Sequence, residues 1–175
     1  MPERPWVALA VGLALLPAEV CLAAQGRAVI TGTSESSVLT GQADFEDTPE
    51  GLRVRIEVLQ APPGTHAVHI HEFGHCEEAG KAAGSHYNPK GVPHGDLLVG
   101  GLERAHAGDF GNLKIDAQGH GSFERVYPGI RLSDGQYTVG GRAVIVHEQE
   151  DDFSQPTGNA GSRIGCGVIA IASPS

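Results

Sequence analysis

The chain has 175 residues, with 21 Asp plus Glu against 12 Lys plus Arg, a formal charge of −9, 25 Gly, nine His, three Cys and one Trp. That length suits one domain with its own hydrophobic core. The acidic balance excludes a general nucleic-acid binder, which needs a basic face against phosphate, and glycine without a three-residue period excludes collagen and favours turn-rich β structure.

In chain order, the first element is the apolar run VALAVGLALLP at residues 7–17, preceded by Arg4 and followed by Cys21-Leu22-Ala23-Ala24. It is too short to span a bilayer and has the layout of a secretory signal peptide, residues 1–24, cleaved after Ala23 or Ala24. Lipidation at Cys21 is the alternative, for which Glu19 and Val20 are poor neighbours. Residues 25–175 then form an exported domain, periplasmic or extracellular, with 11 basic and 19 acidic side chains. Removal of Cys21 leaves Cys76 and Cys166 as an even pair in an oxidising compartment, so a bridge between them is expected. In the chain-entropy account, closing a loop of that length contributes roughly 4.5 kcal/mol.

The exported part has period two. Val54, Ile56 and Val58 alternate with Arg53, Arg55 and Glu57, and Ala61-Pro62-Pro63-Gly64 turns the chain into the next run. Comparable runs at 27–33, 38–45, 66–71, 112–116, 121–126, 141–147 and 164–172 bring the total to eight strands and no helix. The expected class is all-β, an antiparallel sandwich or barrel with one wet face to each sheet.

Residues 72–108 break the pattern and carry too few apolar side chains to pack themselves. A connection this long in a compact domain points to function. Seven histidines lie within residues 66–106. In Thr65-His66-Ala67-Val68-His69-Ile70-His71 the side chains alternate, so His69 and His71 share the face opposite Val68 and Ile70, presented to solvent as a candidate metal pair. His66 shares parity with Val68 and reads as structural. His86, His94, His106 and Asp109 form a closed set of three imidazoles and a carboxylate suited to zinc. His147, at the end of a strand, can join His69 and His71 in an imidazole-rich site with an open face, which suits redox-active copper. His75 and His120 read as surface residues.

Four motifs resemble the copper,zinc superoxide dismutase family in its order. They are His69-Ile70-His71-Glu72-Phe73-Gly74, Ala83-Gly84-Ser85-His86-Tyr87-Asn88-Pro89, His106-Ala107-Gly108-Asp109-Phe110-Gly111-Asn112, and Gly158-Asn159-Ala160-Gly161-Ser162-Arg163-Ile164-Gly165-Cys166-Gly167-Val168-Ile169. The resemblance implies a flattened, immunoglobulin-like eight-stranded Greek-key barrel with long metal-binding and active-site loops. It implies one copper and one zinc per subunit, and disproportionation of superoxide to dioxygen and hydrogen peroxide. By position it places copper on His69, His71, His86 and His147, and zinc on His86, His94, His106 and Asp109, with His86 bridging the two. Asp151 corresponds to the aspartate that links a copper-ligand imidazole to a zinc-ligand imidazole, Cys76 and Cys166 to the internal disulfide, and Arg163 to the arginine that guides the anion.

Two features depart from the family. Cys76 follows His71 by five positions, which looks bacterial, and the loop at 148–162 lacks the Glu/Lys-rich segment that helps steer substrate in longer members. A non-catalytic exported copper/zinc-binding module is the alternative; a missing copper ligand or arginine would mark it, and neither is missing. A zinc hydrolase would need an open zinc position, which the four-ligand set does not leave. The Phe73-Gly74 segment and the apolar C-terminal run 168–171 suit a homodimer, and nothing in the mature sequence spans a membrane.

Overall fold

The computed structural model describes Met1 and residues 23–172; the apolar run at 7–17 and Cys21 lie outside the described residues. Among the described residues nine strands are formed: β1 (Gln25–Gly32), β2 (Thr40–Thr48), β3 (Gly51–Leu59), β4 (Gly64–His71), β5 (Asp109–Ile115), β6 (Gly121–Tyr127), β7 (Ala143–His147), β8 (Arg163–Val168) and β9 (Ala170–Ile171). Eight of them run antiparallel in the order β5-β4-β7-β8-β1-β2-β3-β6, and β9 adds a short pairing to β1. The sequence-predicted strand at 164–172 is therefore two, divided at Ile169, whose side chain is buried in the core. Asp109 opens β5 rather than preceding a strand that starts at 112.

Hairpins join β1 to β2 and β2 to β3, whereas the β3–β6, β4–β7 and β8–β1 neighbours require the crossovers of a Greek key. In β3 the burial alternates along the strand, with Val54, Ile56 and Val58 inside and Arg53, Arg55 and Glu57 outside. The core gathers Ile30, Phe45, Ile56, Ile70, Leu113, Val144 and Val146 from the inward faces of six strands.

The seam between β5 and β6 carries no strand ladder, so side chains close it. Arg125 of β6 donates through Nη1 to Phe110 O (2.7 Å) and through Nη2 to Asn112 O (2.8 Å), and Tyr127 Oη donates to Phe110 O (2.7 Å). Carbonyls that a strand would have satisfied are thereby paired in an otherwise nearly closed barrel.

One wet face per sheet holds for β1 and β3 but not for β4 and β7. In those two strands both faces are buried, because residues 72–108 and 148–162 cover the outer side. His69 and His71, expected on a solvent face, are 0 % and 1 % exposed. The long connection is also less bare than its sequence suggests. Tyr87, Leu97, Ala105 and Ala107 reach the main core, and a short helix, α1 (Leu97–Gly100), forms where none was expected, with the Asp96 carboxylate accepting from Leu98 N and Val99 N.

The disulfide joins Cys76, in the loop after β4, to Cys166 of β8, with a sequence separation of 90. Cys166 packs with Ala83, Ala143 and Ile145 in a second apolar cluster on the outer face of β7 and β8. The bridge thus seats the connection on the sheet.

Candidate metal centre

Period two sets the first pair of imidazoles. His69 and His71 lie on the outer face of β4 opposite Ile145 and Ala143 of β7, while Val68 and Ile70 enter the core opposite Val146 and Val144. His147 ends β7 on the same outer side as Ile145, and Asp109, the first residue of β5, pairs in register with His69. The remaining ligand candidates come from the long connection. Tyr87 N donates to Ile70 O and Ile70 N to Gly108 O, both at 2.8 Å, so His86 and His106 are drawn over β4 by neighbours bonded to it. Glycine is required at 108, because a Cβ there would lie 2.2 Å from Ile70 O.

Two sets of four buried donors result. One atom from each of His69, His71, His86 and His147 lies within 4.8 Å of the others, and the same is true of His86, His94, His106 and Asp109. These are the two sets expected from the sequence. His86 belongs to both: its Nδ1 is 3.1 Å from Asp109 Oδ1, which leaves Nε2 for the first set.

In His69, His71 and His94 the ring nitrogen turned away from the set is held by oxygen. His69 Nε2 donates to Asp151 Oδ2 and His94 Nε2 to Asp151 Oδ1, both at 2.8 Å. His71 Nδ1 donates to Gly84 O at 3.0 Å. A neutral imidazole has one N–H, so these contacts leave the inward nitrogen as a bare lone pair, the arrangement in which outer partners orient metal ligands.

The inward atoms test the fit of a metal. His69 Nδ1, His94 Nδ1 and His106 Nδ1 are buried and have no hydrogen-bond partner. His94 Nδ1 nevertheless lies 2.9 Å from Asp109 Oδ2, and His106 Nδ1 3.2 Å from Asp109 Oδ1, close without a hydrogen bond's direction. At His94 and His106 these nitrogens face the Asp109 carboxylate, and at His69 the other imidazoles of the first set, so each set calls for a cation, a metal ion or a proton, among its donors. A closed three-imidazole, one-carboxylate set fits zinc, and an all-imidazole set fits copper.

Burial holds His71, His86 and His147 low, at about 2, about 4 and about 3; the Asp109 hydrogen bond only partly offsets the effect at His86. These rings are neutral at pH 7 and available as ligands. Burial also opposes charge on His94, but the carboxylates of Asp109 and Asp151 on either side of it outweigh burial and raise the ring to about 9 in the metal-free protein. Asp109 and Asp151 stay ionised, since their imidazole partners outweigh the burial that would raise them.

The first set opens on a cleft of about 230 Å³ lined by His71, Ser85, His86, His147, Thr157, Gly161 and Arg163. Arg163, at the start of β8, donates through Nη2 to Gly84 O at 2.6 Å and through Nη1 to Gly80 O, so the loop behind the disulfide fixes the guanidinium beside the imidazoles. A larger cleft of about 550 Å³ on the far face is lined by the paired charges Arg27–Asp44 and Arg53–Glu46 and contains no histidine.

His66 lies outside both sets, its ring 2.9 Å from His147 O at Nδ1 and from Pro62 O at Nε2; His75 and His120 are exposed. Two contributors escaped the sequence reading because an amide has no metal-ligand signature. Asn112 clamps the backbone of Asp151, accepting from its N–H and donating to its carbonyl, and Gln155 does the same to His94.

The sequence model of copper/zinc superoxide dismutase (SODC) matches residues 39–169. A superoxide dismutase [Cu-Zn] of Aquifex aeolicus is 38% identical over 136 residues, covering 74% of this chain and 78% of its own. One of Onchocerca volvulus is 34% identical, covering 85% and 96%, and the extracellular superoxide dismutase [Cu-Zn] of Drosophila melanogaster is 37% identical, covering 93% and 97%. Among solved structures, that of the clock protein EA4 superposes with a TM-score of 0.75 at 31% identity, over 90% of this chain and all of that one.

Proposed function

The chain belongs to the copper/zinc superoxide dismutase family, and we propose that it binds copper on His69, His71, His86 and His147 and zinc on His86, His94, His106 and Asp109. It is a copper,zinc enzyme that disproportionates superoxide to dioxygen and hydrogen peroxide. The observation that carries the residue assignment is His86, the single ring shared by two buried donor sets.

The chemistry that copper supplies when bound is a one-electron couple, reduced by one superoxide and reoxidised by the next. The residues do the rest. Asp151 holds the rings of His69 and His94 through one carboxylate, so neither can turn its bare nitrogen away. Arg163 places a fixed cation on the cleft, a local positive field that a net charge of −9 does not cancel. His86 Nε2, turned toward the first set, is the atom that would hold a proton and pass it to reduced substrate.

The assignment is tested by measuring copper and zinc per chain alongside superoxide consumption in wild type and His86→Ala. Wild type should hold one of each and be active; His86→Ala should lose zinc and activity together. An inactive wild type holding zinc alone would overturn it.

Three further readings are proposed. Residues 1–24 are a signal peptide and residues 25–175 the enzyme, delivered to the periplasm or the extracellular space; the oxidised Cys76–Cys166 pair supports export. No described helix is long and apolar enough to cross a membrane. Arg163 guides the anion as well as fixing the cleft. The protein is a homodimer through Phe73, Val168 and Ile171, which are 55 %, 41 % and 49 % exposed, with Val29 beside them on β1.

A further inference from the structure

His94 sits in Val92-Pro93-His94-Gly95, a stretch with no strand or helix, yet its side chain is fully buried. A residue so placed has no ladder to fix its backbone. Both of its backbone polar groups are instead taken by one side chain from the opposite loop. His94 N donates to Gln155 Oε1 at 3.1 Å, and Gln155 Nε2 donates to His94 O at 2.8 Å. The carboxamide reproduces the paired bonds of an antiparallel rung.

We propose that Gln155 is a positioning residue for zinc: its two-point clamp on the backbone of His94 fixes the direction of that ring's Nδ1. The inference rests on the assignment of His94 as a zinc ligand. Three contacts from the loop at 148–162 then act on one residue. Gln155 holds the backbone, Asp151 Oδ1 holds Nε2 at 2.8 Å, and Gly158 packs so closely that a Cβ there would lie 2.7 Å from Nε2. This is how a loop that lacks the longer Glu/Lys-rich segment still anchors to the metal-bearing connection.

The clamp is selective between the two metals. His69, the copper-side partner of Asp151, has its backbone held in β4 by register with Asp109 and Ile145 and does not need Gln155. Loss of the amide should therefore be felt at zinc and not at copper.

The experiment uses the full exported protein loaded with copper and zinc, as wild type, Gln155→Ala, Gln155→Glu and His94→Ala, with release of each metal to a chelator followed at pH 7. Gln155→Ala should release zinc about tenfold faster, the scale on which outer partners of metal ligands act. Copper release should be unchanged. Gln155→Glu keeps the acceptor for His94 N but sets an oxygen against His94 O, so it should release zinc faster than wild type. Cobalt(II) in place of zinc should show an altered ligand-field spectrum in Gln155→Ala. Unchanged zinc release overturns the proposal, as does a common acceleration of both metals, which would mean general loosening of the loop. Equal zinc content in His94→Ala and wild type would overturn the ligand assignment itself, and the clamp with it.

Discussion

Single side chains of the two donor sets differ in charge because their surroundings differ. His71, His86 and His147 are kept neutral by burial, whereas the metal-free His94 ring is raised to about 9 by two carboxylates. On the zinc assignment proposed above, zinc must displace a proton from His94 below about pH 9, and its affinity should fall by up to about tenfold per pH unit from this group. Copper has no proton to displace from those three rings above about pH 4. Chelator competition at pH 7.5 and 5.5 should show zinc weakening more steeply than copper, and equal slopes would count against the reading. Arg163 is also separable. Arg163→Ala should lower turnover by about tenfold, within the range of electrostatic steering, and weaken its ionic-strength dependence while metal content is unchanged. Kinetics that do not vary across a salt series would remove its guiding role.

At the scale of elements, loops are tied to strands by contacts that leave no slack. Gly158 has φ 72°, and a Cβ there would fall 1.8 Å from Asp151 Oδ1. Gly158→Ala should displace Asp151 from both His69 and His94 and reduce bound zinc, measured by elemental analysis. The disulfide between the loop after β4 and β8 acts mainly on the unfolded chain; Cys76→Ser should lower unfolding free energy by up to roughly 4.5 kcal/mol, measured in urea. Arg125→Ala should cost about 1–3 kcal/mol, because Phe110 O and Asn112 O lose a charged donor at the open seam; an unchanged midpoint would mean that water satisfies both carbonyls.

The whole molecule joins an acidic surface to one locally positive cleft and exposes a separate apolar patch. Gly74, the residue after Phe73, packs on Val168, whose Cγ1 would lie 3.1 Å from a Cβ built there; Ile171 pairs with Gly26 next to β8. These side chains come from three elements on one flank. Phe73→Glu should convert a dimer to a monomer in sedimentation at micromolar concentration with metal content retained, and a wild type that sediments as a monomer would dispose of the dimer. The two donor sets lie on the outer face of β4 and β7, between the two long connections, so they depend on the fold of the whole barrel.

How much of this was legible beforehand depends on the range of the interaction involved. The alternation along β3, the parity of His69 and His71, and the cysteine pair follow from the chain itself, because strand periodicity and side-chain chemistry are local. The motifs carried the two donor groupings by resemblance. Burial of His69 and His71 was not legible, because exposure is decided by the residues 72–108 and 148–162 that fold over β4, and their placement depends on pairings dozens of residues apart. The break of the last strand at Ile169 and the clamps of Gln155 and Asn112 belong to the same class. An amide in a loop becomes a metal-site residue only when tertiary structure brings its two hydrogen-bonding groups against a backbone that has no ladder of its own.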